Sequence, residues 1–289
     1  MAASARHPEA IVMNLPETKT LLTGVEHGVL HLTFNRPEAR NAMSAEMLAD
    51  IEAVFGAIHD DRAIRAVVLR GAGGHFCAGA DLKSMMGNAG KPPAAGEPDP
   101  IAAVNRAFGS MLRVVASAPQ VVIAVCEGGV LGGGFGLACV SDIALAKHDA
   151  KFGLPETTRG LPPAQIAPFV VERIGLTQAR RLALTGAQFR GEEALKLGLV
   201  HYGFADDAEL GPRLDEVLAA VRNCAPEANR VTKAILLNVG KLDMDAVLDD
   251  AAEKFAACVR GTEAPEGIGA FLQKRPPKWA LADNVPISQ

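Results

Sequence analysis

The hydrophobic positions fall first into two short β-prone stretches, residues 20–25 and 29–34, separated by His27-Gly28, and this spacing predicts a hairpin. The period then lengthens. Met47, Leu48, Ile51, Val54, Phe55 and Ile58 recur at helical spacing behind Ser44, which reads as an N-cap. They predict one apolar helix face running to about His59. Residues 66–70 form a buried-strand candidate that runs into Gly71-Ala72-Gly73-Gly74. Residues 84–100 hold four prolines and three glycines, which predicts a loop. Strand and helix signals of the same kind resume after it, so it reads as a loop within a domain rather than an interdomain linker.

A helix is expected over 101–116 and a β-branched strand over 121–125, running into Gly128-Gly129-Val130-Leu131-Gly132-Gly133-Gly134. A short helix over 135–140 and a strand over 142–146 come next. From Pro163 onward helical patterns dominate, over 166–174, 177–184, 192–197, 209–223, 228–238 and 245–259. The expected organisation is a β/α first part and an all-helical last part. A strand–glycine loop–helix unit occurs twice, at 66–86 and 121–140.

Composition narrows the function classes. The 289 residues are 49% hydrophobic and 21% charged, enough to bury a sizeable core. A net charge of -4 gives no basic excess to draw a nucleic acid or an anionic membrane, so an anionic ligand must be met by a few local cations. The five cysteines are irregularly spaced with no C-x-x-C, which points to buried free thiols rather than a zinc site or a disulfide framework. The N-terminal stretch carries Glu9, Asn14 and Glu17 and lacks an uninterrupted apolar core, which counts against a signal peptide. Apolar runs fall short of the ~20 residues of a membrane span. A cytoplasmic, soluble protein is the expectation.

Candidate chemistry lies in the glycine-bearing loops. Glycine at a strand end lets the backbone approach a ligand closely, and the first N–H groups of a helix have no intrahelical partner. Gly132-Gly133-Gly134 before Phe135 has this form, and His75-Phe76-Cys77-Ala78-Gly79-Ala80-Asp81 is a second strand-to-loop transition. Two such amides converging on one oxygen would make an oxyanion hole. Taken alone, the glycines also fit tight turns. There is no G-x-G-x-x-G in these segments, no G-x-x-x-x-G-K-[ST] and no G-x-S-x-G, which leaves dinucleotides, nucleoside triphosphates and serine hydrolysis unsupported. His27 and His31 would lie ~13 Å apart along a strand, so they read as structural. No metal or redox cofactor is implied.

Five segments, in order, resemble the crotonase (enoyl-CoA hydratase/isomerase) superfamily. They are Asn35-Arg36-Pro37 with Asn41-Ala42-Met43-Ser44; Phe76-Cys77-Ala78-Gly79-Ala80-Asp81-Leu82; Gly128 to Gly134 with Asp142-Ile143; Phe152-Gly153-Leu154-Pro155-Glu156 followed by Gly160-Leu161-Pro162; and Thr185-Gly186 with Ala194 and Gly198-Leu199-Val200. The resemblance covers roughly residues 20–275. It implies an α/β fold, the ClpP/crotonase-like spiral of ββα units in two nearly perpendicular sheets, with a C-terminal helical trimerisation region. The expected division is an N-terminal extension over 1–19, the spiral core over 20–205 and the helical region over 206–289.

The resemblance also implies site residues. The N–H groups of Ala78 and Gly133 would form the oxyanion hole, and Glu156 would be the acid/base beside the acyl Cα–Cβ bond. Otherwise Glu156 is a helix-cap or surface carboxylate. An acyl-CoA thioester substrate would lie across Arg36, Ala39, Ala80, Asp81 and Leu82, with Gly132 beside it, and coenzyme A would be part of that substrate rather than a separate cofactor. Phe271 and Lys274, with Arg275, fall in a stretch that lies against coenzyme A in the family; a solvated helix face is the alternative.

Two departures bear on the reaction. Typical hydratases carry a first glutamate three residues after the middle glycine, where this chain has Gly136. Two carboxylates hold a water between them, whereas one suffices to carry a proton between C2 and C4 as in isomerases. Pro163-Ala164-Gln165-Ile166-Ala167-Pro168-Phe169 stands where most relatives are glycine-rich, and is similar to hydratases of branched, terpene-derived glutaconyl-CoA esters (isohexenylglutaconyl-CoA hydratases). On that reading Gly136 opens space for a substituent and Glu156 works on water with Gln165; Gln165 otherwise only bonds at a helix start. The expected function is hydration of a 2-enoyl-CoA. The alternatives are a Δ3,Δ2-enoyl-CoA isomerase using Glu156 alone and a non-catalytic acyl-CoA-binding member. A homotrimer or dimer of trimers is expected.

Overall fold

A computed structural model describes residues 15–81, 93–94 and 96–281. The hairpin forms as its spacing predicts. Strands β1 (Leu21–Glu26) and β2 (Val29–Phe34) pair antiparallel, and His27 (φ 48°) and Gly28 (φ 73°) supply the two positive φ angles that a two-residue hairpin turn needs. Helix α1 (Ala45–Ile58) starts where Ser44 accepts the Met47 N–H, and buries Met47, Ile51, Val54, Phe55 and Ile58.

Then follow β3 (Ala66–Gly71), α2 (Pro100–Ala116), β4 (Val121–Cys126), β5 (Gly129–Leu131), α3 (Gly133–Val140) and β6 (Ile143–Lys147). β7 (Lys151–Gly153) leads into a 3₁₀ turn at Pro155–Arg159, and α4 (Ala167–Thr185) follows. Gly175, at φ 74° and ψ 159°, breaks α4 between the two helical stretches seen in the sequence. β8 (Gln188–Arg190), α5 (Gly191–Lys196) and β9 (Tyr202–Phe204) complete the sheets. The rest is helical: α6 (Asp207–Asn223), α7 (Pro226–Asn238), α8 (Met244–Arg260), α9 (Glu263–Leu272) and α10 (Lys278–Leu281).

The last part is therefore not wholly helical. β8 and β9 fall after Pro163, and with three residues each they are too short for hydrophobic periodicity to register. β9 joins a six-stranded sheet of order β1-β2-β3-β4-β6-β9, parallel beyond the hairpin. β8 joins a three-stranded sheet of order β5-β7-β8.

Both faces of the central strands are buried, as expected of a mostly parallel sheet. Leu30, Leu32, Val67, Leu69, Val122 and Ala124 face the core shared with α1, α2 and α3. Val29, Ala66, Val68, Ile123, Val125 and Leu145 face Leu210, Val217, Leu218 and Val221 of α6. Phe135 of α3 packs edge-on against Phe152 and Phe189, and so fixes the small sheet to the helix that follows the GGG run. Lys233 of α7 anchors the C-terminal helices by bonding the carbonyls of Ala118 and Gln120 and the carboxylate of Asp142. Among the described residues no helix is long and apolar enough to cross a membrane. Cys77, Cys126 and Cys139 are buried free thiols as expected, but Cys224 is exposed and Cys258 partly so.

Candidate active site

The two glycine loops are neighbours. Cys77 and Val130 form a parallel bridge in which the Cys77 N–H donates to Gly129 O (2.9 Å) and the Leu131 N–H to Cys77 O (2.9 Å). The approach is so close that a Cβ on Gly134 would stand 2.7 Å from both Cys77 Cβ and Cys77 O. His75 Nδ1 accepts the Gly129 N–H at 3.0 Å, so His75 ties the loops rather than standing free at the surface. Asn41, fully buried with φ 56°, accepts the Arg36 N–H and donates to the carbonyls of Ala72 and His75. It thereby fixes the Arg36–Met43 turn to the second loop.

This ladder decides which amides are free, and it corrects the expectation for Ala78. The Ala78 N–H donates to Arg40 O at 3.0 Å and is not available to a thioester oxygen. Gly79, at φ 100°, then turns the chain. Met43 and Ala80 form a second parallel bridge, in which Met43 N–H donates to Gly79 O and Asp81 N–H to Met43 O. In such a bridge the paired residue, Ala80, points its own N–H away from the partner strand. No described residue accepts the N–H of Ala80 or of Gly133, the first residue of α3.

Glu156 sits in the first turn of the 3₁₀ segment. Its Oε1 lies 2.7 Å from where a Cβ on Gly132 would stand, and Gly132 has φ 49°; glycine is required there on both counts. Glu156 Oε2 is buried with no hydrogen-bond partner. Burial holds this carboxyl above the usual glutamate range, opposed by its own backbone N–H and by Arg159. A carboxyl with an unused oxygen beside the GGG run is an acid/base candidate, not a cap or a surface charge.

Helix α2 walls the site with one face, on which Asn105, Phe108, Gly109 and Leu112 follow at i, i+3, i+4 and i+7. Phe108 and Met43 Sδ lie against Gly133, where a Cβ would meet them at 3.2 Å. Gly136 does not open space, contrary to the expectation from sequence. A Cβ there would meet Ile166 Cγ2 at 3.2 Å and Leu112 Cδ1 at 3.4 Å, so neighbouring side chains already fill that direction. Gln165 Nε2 donates to Asn105 Oδ1 at 3.0 Å, which makes it a tie between α2 and the start of α4.

Of the residues expected at coenzyme A, Arg36 and Asp81 form an ion pair at 3.0 Å, with side chains 22% and 19% exposed. Arg36 also bonds the Ala42 carbonyl, and Ala39 ends the 3₁₀ turn between Arg36 and Arg40. Leu82 and the 84–92 part of the proline-rich loop lie outside the described residues. Phe271, 81% exposed, lies at the end of α9, which packs on α8, and Lys274 follows just past the helix end. Arg275 is held in a two-point ion pair by Glu266. Sequence reading missed Asn41, Phe108 and Ile166 as parts of the site. Asn41 and Ile166 stood in segments that resemble family motifs, but Phe108 is an ordinary apolar residue until the fold sets it against a glycine.

The profile of the Enoyl-CoA hydratase/isomerase family matches residues 24–281. The chain is 56% identical to an enoyl-CoA hydratase/isomerase from Marinobacter aquaeolei of known crystal structure, with a TM-score of 0.87 over 90% of this chain and 99% of that one. It is 57% identical to Pseudomonas aeruginosa AtuE, with a TM-score of 0.86 over 91% of this chain and 100% of that one. It is also 31% identical, over 88% of its length and 96% of the relative's, to a probable enoyl-CoA hydratase of Bacillus subtilis. With crotonase-fold architecture and this match along nearly its whole length, the chain belongs to the enoyl-CoA hydratase/isomerase family.

Proposed function

We propose that this enzyme adds water across C2=C3 of a 2-enoyl-CoA thioester, including a branched one of the glutaconyl type. The observation that carries the reading is Glu156, whose Oε2 is buried and unpaired beside the Gly132–Gly133 turn. The thioester oxygen takes hydrogen bonds from the N–H groups of Gly133 and Ala80, the latter in place of Ala78. As the Glu156 carboxylate removes a proton from water, the water oxygen bonds to C3, the C2=C3 pair shifts to C1–C2 and the carbonyl π pair moves onto the thioester oxygen, giving an enolate. Glu156, now protonated, returns that proton to C2. The two amides stabilise charge that exists only after attack, and loss of one such donor typically costs ~3–4 kcal/mol of barrier. Coenzyme A lies along the turn held by Arg36 and Asp81, near Ala39, with Phe271 and Lys274 against it.

One observation favours isomerisation instead. Ile166 and Leu112 occupy the direction in which a second carboxylate at position 136 would project, so Glu156 works alone. A lone carboxyl moves a proton from C4 to C2 without water. A purely binding role has no use for a desolvated Glu156. Incubation with 2-enoyl- and 3-enoyl-CoA in H2(18)O, followed by mass spectrometry, separates these readings. Label in a 3-hydroxyacyl product supports hydration. Double-bond migration without label selects isomerisation, and tight binding without turnover overturns both.

A further inference from the structure

Two consecutive residues, Gln165 and Ile166, key into two glycine notches on two different helices. Ile166 presents Cγ2 3.2 Å and Cγ1 3.4 Å from where a Cβ on Gly136 of α3 would stand. Gln165 places Oε1 only 2.1 Å from where a Cβ on Gly109 of α2 would stand, so any side chain at 109 would displace the Gln165 amide. The Gln165 amide also bonds Asn105 one turn earlier on α2. Pro163 O accepts the N–H groups of both Ile166 (3.1 Å) and Ala167 (2.9 Å), which fixes the backbone beneath the two keys. Ile166 itself is 6% exposed.

The location matters because Gly136 is one helical turn beyond Gly132, whose carbonyl accepts the Gly136 N–H at 3.0 Å. A Cβ added at Gly132 would meet Glu156, one at Gly133 would meet Phe108, and one at Gly136 would meet Ile166 and Leu112. The surface running inward from the carboxyl is thus apolar, and its last element is not on α2 or α3 but is inserted between them.

We propose that Ile166 is a specificity-determining residue that sets the size of the branch an acyl group can carry beside Gly136, and that Gln165 is the positioning residue that holds it there. This rests on the enoyl-CoA reading above. Shortening Ile166 leaves room for one or more methyl groups, and a methylene in an apolar pocket discriminates by roughly 10- to 200-fold. Gln165 does not touch the acyl group; its loss loosens Ile166.

The test compares kcat/KM for crotonyl-CoA and its 2-methyl, 3-methyl and 4-methyl relatives in the parent, Ile166→Val, Ile166→Ala, Gln165→Ala and Gln165→Glu. Ile166→Ala raises the branched-to-linear ratio about ten-fold for at least one methyl position, and Ile166→Val by less. Gln165→Ala moves the same ratio in the same direction and adds nothing in the presence of Ile166→Ala. Gln165→Glu restores the parent's ratio, because the Asn105 amide turns its NH2 toward a carboxylate. A purely structural role would lower kcat/KM for every thioester in proportion and leave the ratio unmoved, and that result overturns the proposal. If the parent turns over no enoyl thioester, the function proposed above falls. Calorimetric binding of butyryl- and isovaleryl-CoA to the parent and Ile166→Ala then decides this inference separately: a shift in their affinity ratio upholds it and an unchanged ratio sinks it.

Discussion

At the scale of single residues, chemistry follows from which polar atoms are left without partners. Glu156 Oε2 and the N–H groups of Ala80 and Gly133 are left over after the surrounding backbone has paired. Glu156→Gln is expected to lower kcat by about 10²–10⁴-fold, read in a coupled hydration assay, while coenzyme A binding persists. The pH dependence carries a sign. Burial raises the Glu156 pKa above the ordinary glutamate value, so the carboxylate needed to activate water is lost on acidification earlier than for an exposed glutamate. The acid limb of kcat/KM therefore lies at higher pH than an exposed glutamate would give. The same shift stabilises the fold only while Glu156 is protonated and fades as pH rises through the raised pKa. At neutral pH, Glu156→Gln should accordingly hold or raise the thermal midpoint; a clear drop would contradict the desolvated carboxyl. Gly134→Ala forces a methyl against Cys77 and is expected to cost about 1–3 kcal/mol in a denaturant titration, with turnover falling as the loops part.

At the scale of elements, the sequence was a good guide wherever a segment was long enough to show a period. The hairpin and α1 appear within a residue or two of expectation, and Ser44 caps α1 as read. Ser44→Ala should lower stability by ~1 kcal/mol without touching catalysis, since among the described residues its hydroxyl bonds only the Met47 N–H. The three-residue strands β5, β7, β8 and β9 were not legible, because their pairing partners lie far away in sequence. The turn that carries Glu156 was legible as a motif and not as a shape: Pro155 starts a 3₁₀ segment that Gly160, at φ 75°, ends.

At the scale of the whole molecule, the C-terminal helices meet the core through α6 and through Arg62, Arg65 and Lys233, and α8 and α9 expose much apolar surface. Lys233, 12% exposed, meets Asp142 and two carbonyls, and Lys233→Met leaves that carboxylate without its cation, held only by the Val122 N–H among the described hydrogen bonds. A loss of about 3 kcal/mol is expected in chemical unfolding, and no loss would show that the tie is dispensable. Phe255, Phe271 and Leu272 are 71%, 81% and 74% exposed on α8 and α9. Such a surface is large for a chain on its own. We expect self-association, read by light scattering on a sizing column, with Phe255→Glu shifting the mass toward the monomer.

The sequence by itself determined the family and the pair of glycine loops and singled out Glu156 as the carboxyl to look at, because motifs in fixed order survive as strings and glycines at strand ends carry a backbone meaning. Only the tertiary structure decided which amides remain free. Ala78 and Ala80 lie two residues apart in one motif, and the Arg40 carbonyl, from a distant turn, takes the first and leaves the second. Only tertiary structure decided the meaning of Gly136 as well. A missing side chain reads as empty space along the chain, but in three dimensions close packing lets a residue thirty positions later, Ile166, fill it.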